Sequence, residues 1–188
     1  MLRKKDKGKV FLFRESVFRV AQIIFNNPHK VFHIRLLEKD TGFSTTAITK
    51  SIGELQRYEI ILVERTSLTT NIKANIESEA YRFYKIIFNL FILHNYTLLD
   101  SLAFTYRPEA IVLFGSAAKG EDVEGSDIDI LIITSREVAG LGEIIKETEK
   151  ELNRNINIHK VESLEKSSKE FKNAVANGVV LYGYLKVI

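Results

Sequence analysis

The chain has 188 residues, 45% of them hydrophobic, enough for one large domain or two small ones with real cores. Charged residues make up 27%, the formal net charge is +3 and the pI is about 9.0, a mildly basic balance that admits a polyanion partner without requiring one. Cysteine is absent, which excludes disulfides and thiolate metal sites.

The first residues, MLRKKDKGKVFLFR, carry Arg3, Lys4, Lys5, Lys7 and Lys9 but no apolar core or small-residue cleavage site. They do not read as a secretory signal, and a cytoplasmic protein is expected. The basic cluster reads as a solvated tail that can add salt-sensitive affinity for nucleic acid. From Arg14 to Phe25, Val17, Val20, Ile23 and Ile24 recur at helical spacing until Asn26, Asn27 and Pro28 stop the helix. His33 to Lys39 predicts a second helix ending near Gly42. Ser44 is placed to cap a third over Thr45 to Arg57, with Ala47, Ile48, Ile52 and Leu55 inward. Ile60 to Glu64 and Leu68 to Ala74 read as two strands around a polar turn.

Three helices, a tight turn at Thr41-Gly42 and a hairpin resemble a winged helix-turn-helix domain over about Arg14 to Asn75. The resemblance implies a third helix in the major groove of DNA, with Thr45, Thr46, Thr49 and Lys50 outward and Arg65, then Lys73, on or near the wing. Small three-helix units also serve for docking or dimerisation, which is the other reading of the same pattern.

Tyr84 to Phe104 is the one stretch that imitates a membrane span, but Lys85, Asn89, His94, Asn95 and Asp100 interrupt it, each at a cost in hydrocarbon. It is expected instead as part of a single connecting helix over residues 77–104, apolar around most of its circumference and buried on more than one side. No membrane partner is expected.

The stretch VLFGSAAKGEDVEGSDIDILII, Val112 to Ile133, carries the chemistry. An apolar strand runs into Gly115-Ser116, where the missing side chain lets the backbone turn tightly and lets Ser116 face a phosphate. After ten intervening residues, Asp127 and Asp129 stand two apart in an alternating run, so both carboxylates leave one face while Ile128 and Ile130 go to the core. Two hard oxygen donors on one rigid edge suit a divalent ion that also binds substrate phosphates. A solubilised edge strand explains the two Asp residues but not the Gly-Ser turn.

This arrangement resembles the signature of the DNA polymerase beta-type nucleotidyltransferase superfamily, above all its minimal nucleotidyltransferase branch, over about Glu109 to the C-terminus. The resemblance implies that Gly115 and Ser116 hold the triphosphate of ATP or another nucleotide. It also implies that Asp127 and Asp129 bind Mg²⁺ or Mn²⁺ and carry the transfer of a nucleoside monophosphate. A HEPN-type toxin is an implied protein acceptor, since some members of that branch are antitoxins that adenylylate such a partner.

Downstream, a helix is expected over Glu137 to Asn153 with Leu141, Ile144, Ile145 and Leu152 inward, then a strand Ile156 to Val161, a helix Ser168 to Ala176 and a strand Val179 to Tyr182. The family presents a third carboxylate from the strand after DxD, and here that position is Asn157. A neutral amide ligates a metal weakly and cannot act as a general base. His159, Glu121, Asp122 and Glu124 are the nearby candidates to replace it.

The expected fold class is therefore α+β. It comprises a winged helix domain over 1–76, a connecting and dimerising helix over 77–106, and a polymerase beta-like domain with a mixed sheet over 107–188. A homodimer is expected. The alternative to a transferase is a DNA-binding regulator or antitoxin whose C-terminal domain senses nucleotide or mediates interaction.

Overall fold

The computed structural model describes residues 14–67, 69–137 and 141–186. It is a mixed α and β structure that divides into two compact units, one through Tyr81 and one from Arg82 onward.

In the first unit, α1 (Glu15–Asn26), α2 (Ile34–Thr41) and α3 (Thr45–Arg57) precede an antiparallel pair, β1 (Ile61–Arg65) and β2 (Thr70–Ala74). α1 buries Val17, Val20, Ala21, Ile24 and Phe25, the spacing of one helical face. Gly42 ends α2 in the left-handed region at φ 74°, where a Cβ would be strained. Two residues on, the Ser44 hydroxyl caps α3 by accepting from the Ala47 N–H at 3.4 Å. α3 buries Ile48, Ser51, Ile52 and Leu55, while Ala47 is only half-buried. Ser51 is tolerated inside because its hydroxyl lies 3.1 Å from the Ser16 hydroxyl and donates to the Ala47 carbonyl at 2.9 Å. Phe32 exchanges two backbone hydrogen bonds with Ile72, at 2.8 and 2.9 Å, and so ties the segment before α2 to the hairpin.

The helix expected over 77–104 is two helices, α4 (Glu79–His94) and α5 (Leu98–Tyr106), bent by 66°. The break falls on Asn95 to Thr97; Asn and Thr prefer local hydrogen bonds to helix continuation. Among the described residues, no single helix is long and apolar enough to cross a membrane, although this bent pair matches a span in combined length and composition.

The second unit is built on a four-stranded sheet in the order β5-β4-β3-β6. β3 (Ala110–Phe114) lies antiparallel to β4 (Ile128–Ile133) and to β6 (Val179–Gly183), and β4 lies parallel to β5 (Ile156–Val161). One face carries Ile111, Leu113, Ile128, Ile130, Ile132 and Ile156, packed with Leu98 and Leu102 of α5, with Ala117 and Ala118 of α6 (Gly115–Lys119), and with Ile144 and Ile145 of α7 (Gly142–Leu152). The other face carries Val112, Phe114, Leu131 and Ile133 against Phe171 and Val175 of α8 (Lys169–Ala176). Near-continuous burial of β3 and β4 explains why their sequences read as unbroken apolar runs. α7 starts later than the expected Glu137, and residues 138–140 of that expectation lie outside the described residues.

Candidate functional site

Strand register assembles the site. Asp129 of β4 pairs with Phe114, the last residue of β3, on one side and with Asn157 of β5 on the other. Gly115 therefore follows directly on the residue opposite Asp129, and it does so at φ 73°. A Cβ built there would collide with Asp129 Oδ2. The position excludes any larger residue twice over, by backbone conformation and by the carboxylate that occupies the space of a side chain.

Asp127 lies just outside β4, exposed, and Asp129 within it is partly exposed. Their carboxylates share one side of the sheet at the N-terminal end of β4, because the Asn157 side-chain amide donates to both, at 3.3 Å to Asp127 Oδ2 and 3.1 Å to Asp129 Oδ1. Asn155 donates a further hydrogen bond at 3.0 Å to Asp127 Oδ1. These amide donors are neutral, and they orient the two carboxylates toward the same place. The His159 ring stacks edge-on against Phe114 at 5.2 Å between centroids and leans on Phe171 at 5.8 Å, with Nε2 3.8 Å from Asp129 Oδ1.

The donor chemistry fits a hard cation in part. Asp127 and Asp129 supply two carboxylates, and half a turn of the Asn157 amide would present its oxygen as a third, neutral ligand. Among the described residues, no group of three or more His, Cys, Asp or Glu side chains converges as a metal site. That set suits one divalent ion whose other positions are filled by phosphate oxygens and water, and not a pair of ions on three carboxylates.

Asp122, a sequence candidate for the third carboxylate, is turned away from this edge. It is 2% exposed and its Oδ2 accepts from Arg154 Nη1 at 3.0 Å. Its Oδ1 accepts from Asn89 Nδ2 at 2.8 Å and lies 3.6 Å from Lys85 Nζ, which also donates to the Asp122 carbonyl. Lys85 is itself 1% exposed, and burial holds its ammonium below the ordinary lysine range, opposed by the Asp122 charge and reinforced by Arg154. Lys85 and Asn89 interrupt the apolar run of α4 because they serve this buried cluster. Glu121 and Glu124 are exposed.

In the first unit, Thr45, Thr46, Thr49 and Lys50 are all exposed on α3, and Arg65 is exposed at the end of β1. The Thr45 hydroxyl donates to Glu38 of α2. Lys73 is drawn into a pair with Glu64, 3.2 Å away across the hairpin. A groove between the starts of α1 and α3 is lined by Arg14, Ser16, Ser44, Thr46 and Lys50.

Arg154 and Asn155 were not singled out from sequence. The signal available was their place in Arg154-Asn155-Ile156-Asn157, immediately before the strand that carries Asn157, but their roles depend on the parallel pairing of β5 with β4.

Residues 96–181 match a family model described as a nucleotidyltransferase domain. The matched segment runs from just before α5 through most of β6 and contains Gly115, Ser116, Asp127, Asp129 and Asn157. Solved structures similar to the chain include a toxin–antitoxin complex with AMP-PNP, at 22% identity over 47% of this chain and 72% of that one, with a TM-score of 0.37. The MntA–HepT toxin–antitoxin is also similar, at 20% identity over 51% and 71%, with a TM-score of 0.33. No curated protein matches the chain.

Proposed function

We propose that the nucleotidyltransferase segment binds a nucleoside triphosphate, ATP in the first instance, with one Mg²⁺ or Mn²⁺ held by Asp127 and Asp129 and the triphosphate held at Gly115 and Ser116. The observation that carries the reading is the close approach of the Asp129 carboxylate to Gly115, which brings a cation-binding edge and a side-chain-free turn into one place. The family match over residues 96–181 supports the same assignment. The bound ion would neutralise charge on the phosphates and so make the α-phosphorus accessible to an acceptor oxygen. This chain's own contribution is to orient the two carboxylates through Asn155 and Asn157 and to leave room at Gly115.

The reaction proposed is transfer of AMP to a hydroxyl of a small molecule or protein, with pyrophosphate leaving. A HEPN-type toxin is one such acceptor to try. Calorimetric titration of ATP with Mg²⁺ into the wild type and an Asp127→Ala/Asp129→Ala variant tests the site without knowledge of the acceptor. Binding that requires both the ion and the two carboxylates is expected, and equal binding by the variant would refute the assignment.

A second reading concerns the first unit. The exposed Thr45, Thr46, Thr49, Lys50 and Arg65, on a helix and hairpin in the order of a winged helix, support DNA binding by residues 1–76, with the protein acting as a homodimeric regulator. Gel retardation on the DNA upstream of its own coding sequence, with Lys50→Glu as control, distinguishes this from a docking module. Equal retardation by the control would count against it.

A further inference from the structure

We infer that the connection between Ser116 and Asp127 is clamped from within by Asp122 and Arg154, and that Arg154 is a positioning residue that sets where the Asp127 carboxylate stands without touching it. The inference rests on the reading of Asp127 and Asp129 as the cation edge.

The connection is ten residues long and turns twice through glycine in the left-handed region, at Gly120 with φ 70° and Gly125 with φ 80°. Such a segment has many conformations available to it, yet it must deliver Asp127 to a defined place beside Asp129. Arg154 restrains it at three points with one rigid guanidinium. Nη1 donates to Asp122 Oδ2 at 3.0 Å, Nε to the Ser126 carbonyl at 2.6 Å and Nη2 to the Asp127 carbonyl at 3.3 Å. Asp122 anchors the assembly because Asn89 and Lys85 of α4 hold its other oxygen and its carbonyl from the buried side. Within the loop, Val123 and Ser126 close a tight turn, with the Val123 N–H donating to the Ser126 hydroxyl at 2.9 Å and the Ser126 N–H to the Val123 carbonyl at 3.0 Å. The next residue after Arg154 completes the arrangement: the Asn155 carbonyl accepts from the Ile128 N–H at 2.9 Å while its side chain holds the Asp127 carboxylate. The backbone of Asp127 and its carboxylate are thus fixed by two consecutive residues.

The geometry requires the planar fork of arginine. A lysine in this place keeps the charge, but its three N–H donors radiate from one nitrogen and do not reproduce the spread of Nε, Nη1 and Nη2 over a carboxylate and two carbonyls. Arg154→Lys, Asp122→Asn and the double variant of the full chain separate the clamp from other roles.

The first readout is Mn²⁺ affinity by electron paramagnetic resonance, at a temperature where all variants are folded. Each single variant is expected to bind about ten- to a hundredfold more weakly, as for other residues that orient metal ligands. The double variant should be no worse than either single one, because the two residues act as one unit. The second readout is amide exchange in the metal-free protein, where Val123, Ser126 and Ile128 should lose protection selectively while the β3 amides keep theirs.

Loss of Mn²⁺ binding in Asp122→Asn with Arg154→Lys unchanged would make Asp122 a ligand and overturn the clamp. A lowered melting temperature with unaltered Mn²⁺ affinity and unaltered loop exchange would reduce the cluster to packing and overturn it as well. If the wild type itself binds no Mn²⁺, the cation reading fails, and exchange alone then decides the clamp: selective loss supports it and unchanged protection refutes it.

Discussion

Asp122 and Asp127 are five residues apart in the chain and their surroundings are opposite. Asp122 is sealed in the second unit beside two cationic side chains, Lys85 and Arg154, and the Asn89 amide. Asp127, with Asp129, lies at the N-terminal end of β4, where the Asn155 and Asn157 amides donate neutral N–H groups to them. Burying a carboxylate without charge compensation costs several kcal/mol, so a carboxylate that goes inside takes cations with it. A pair of carboxylates held close at the surface by neutral amides keeps its access to water and to an external cation, which is the basis of the proposed cation site. The difference separates a sealed acid from a solvent-facing pair, although the sequence offered Asp122 as a candidate to join that pair as its third carboxylate.

The largest test of that contrast is Asp122→Ala, which leaves Lys85 and Arg154 buried without their carboxylate. Removing one partner of a buried pair typically costs about 3–5 kcal/mol, so chemical denaturation should show a loss of that order, whereas Asp127→Ala should change stability far less. Equal losses from the two substitutions would erase the distinction.

Next in size is Gly115→Ala, which forces a side chain into the left-handed region and against Asp129. A stability loss of about 1–3 kcal/mol is expected from the backbone alone. Calorimetry should in addition show nucleotide binding reduced beyond what unfolding explains, because the carboxylate must move.

Asn157→Asp sharpens the comparison from the other side. A third carboxylate at the edge should tighten Mn²⁺ binding about tenfold, and in the absence of metal the like charges should lower the melting temperature. Tighter binding accompanied by newly measurable AMP transfer would identify the amide as what restrains catalysis here.

The smallest expected effect is a pH dependence seated in Lys85. Burial lowers its proton affinity in the folded chain below the ordinary value of 10.5, so between the two values the unfolded chain binds more protons. Stability of the wild type relative to Lys85→Met should therefore rise as pH is raised from neutrality toward 10.5. Urea unfolding of both proteins at pH 7 and in the alkaline range measures it, and a difference independent of pH would show that Lys85 is not penalised by its burial.

Much of this organisation was legible from local pattern. Apolar spacing of 3.6 marked α1 and α3, a capping serine marked the start of α3, and alternation placed Asp127 and Asp129 together, because each of these depends on residues a few positions apart. The break at Asn95 to Thr97 was hidden, since apolar residues on both sides of those polar residues continue the same helical pattern.

By itself, then, the sequence determined most of the elements, the turn at Gly115 and the placing of Asp127 and Asp129 on one face, all written in residue type and short spacing. Only the tertiary structure decided which acids face inward, that Asn157 bridges two carboxylates, and that Arg154 holds the loop before them. Those outcomes depend on the register of a parallel strand pair and on a helix more than thirty residues away in sequence from the loop it anchors, and burial energetics act on that arrangement, not on the order of residues along the chain.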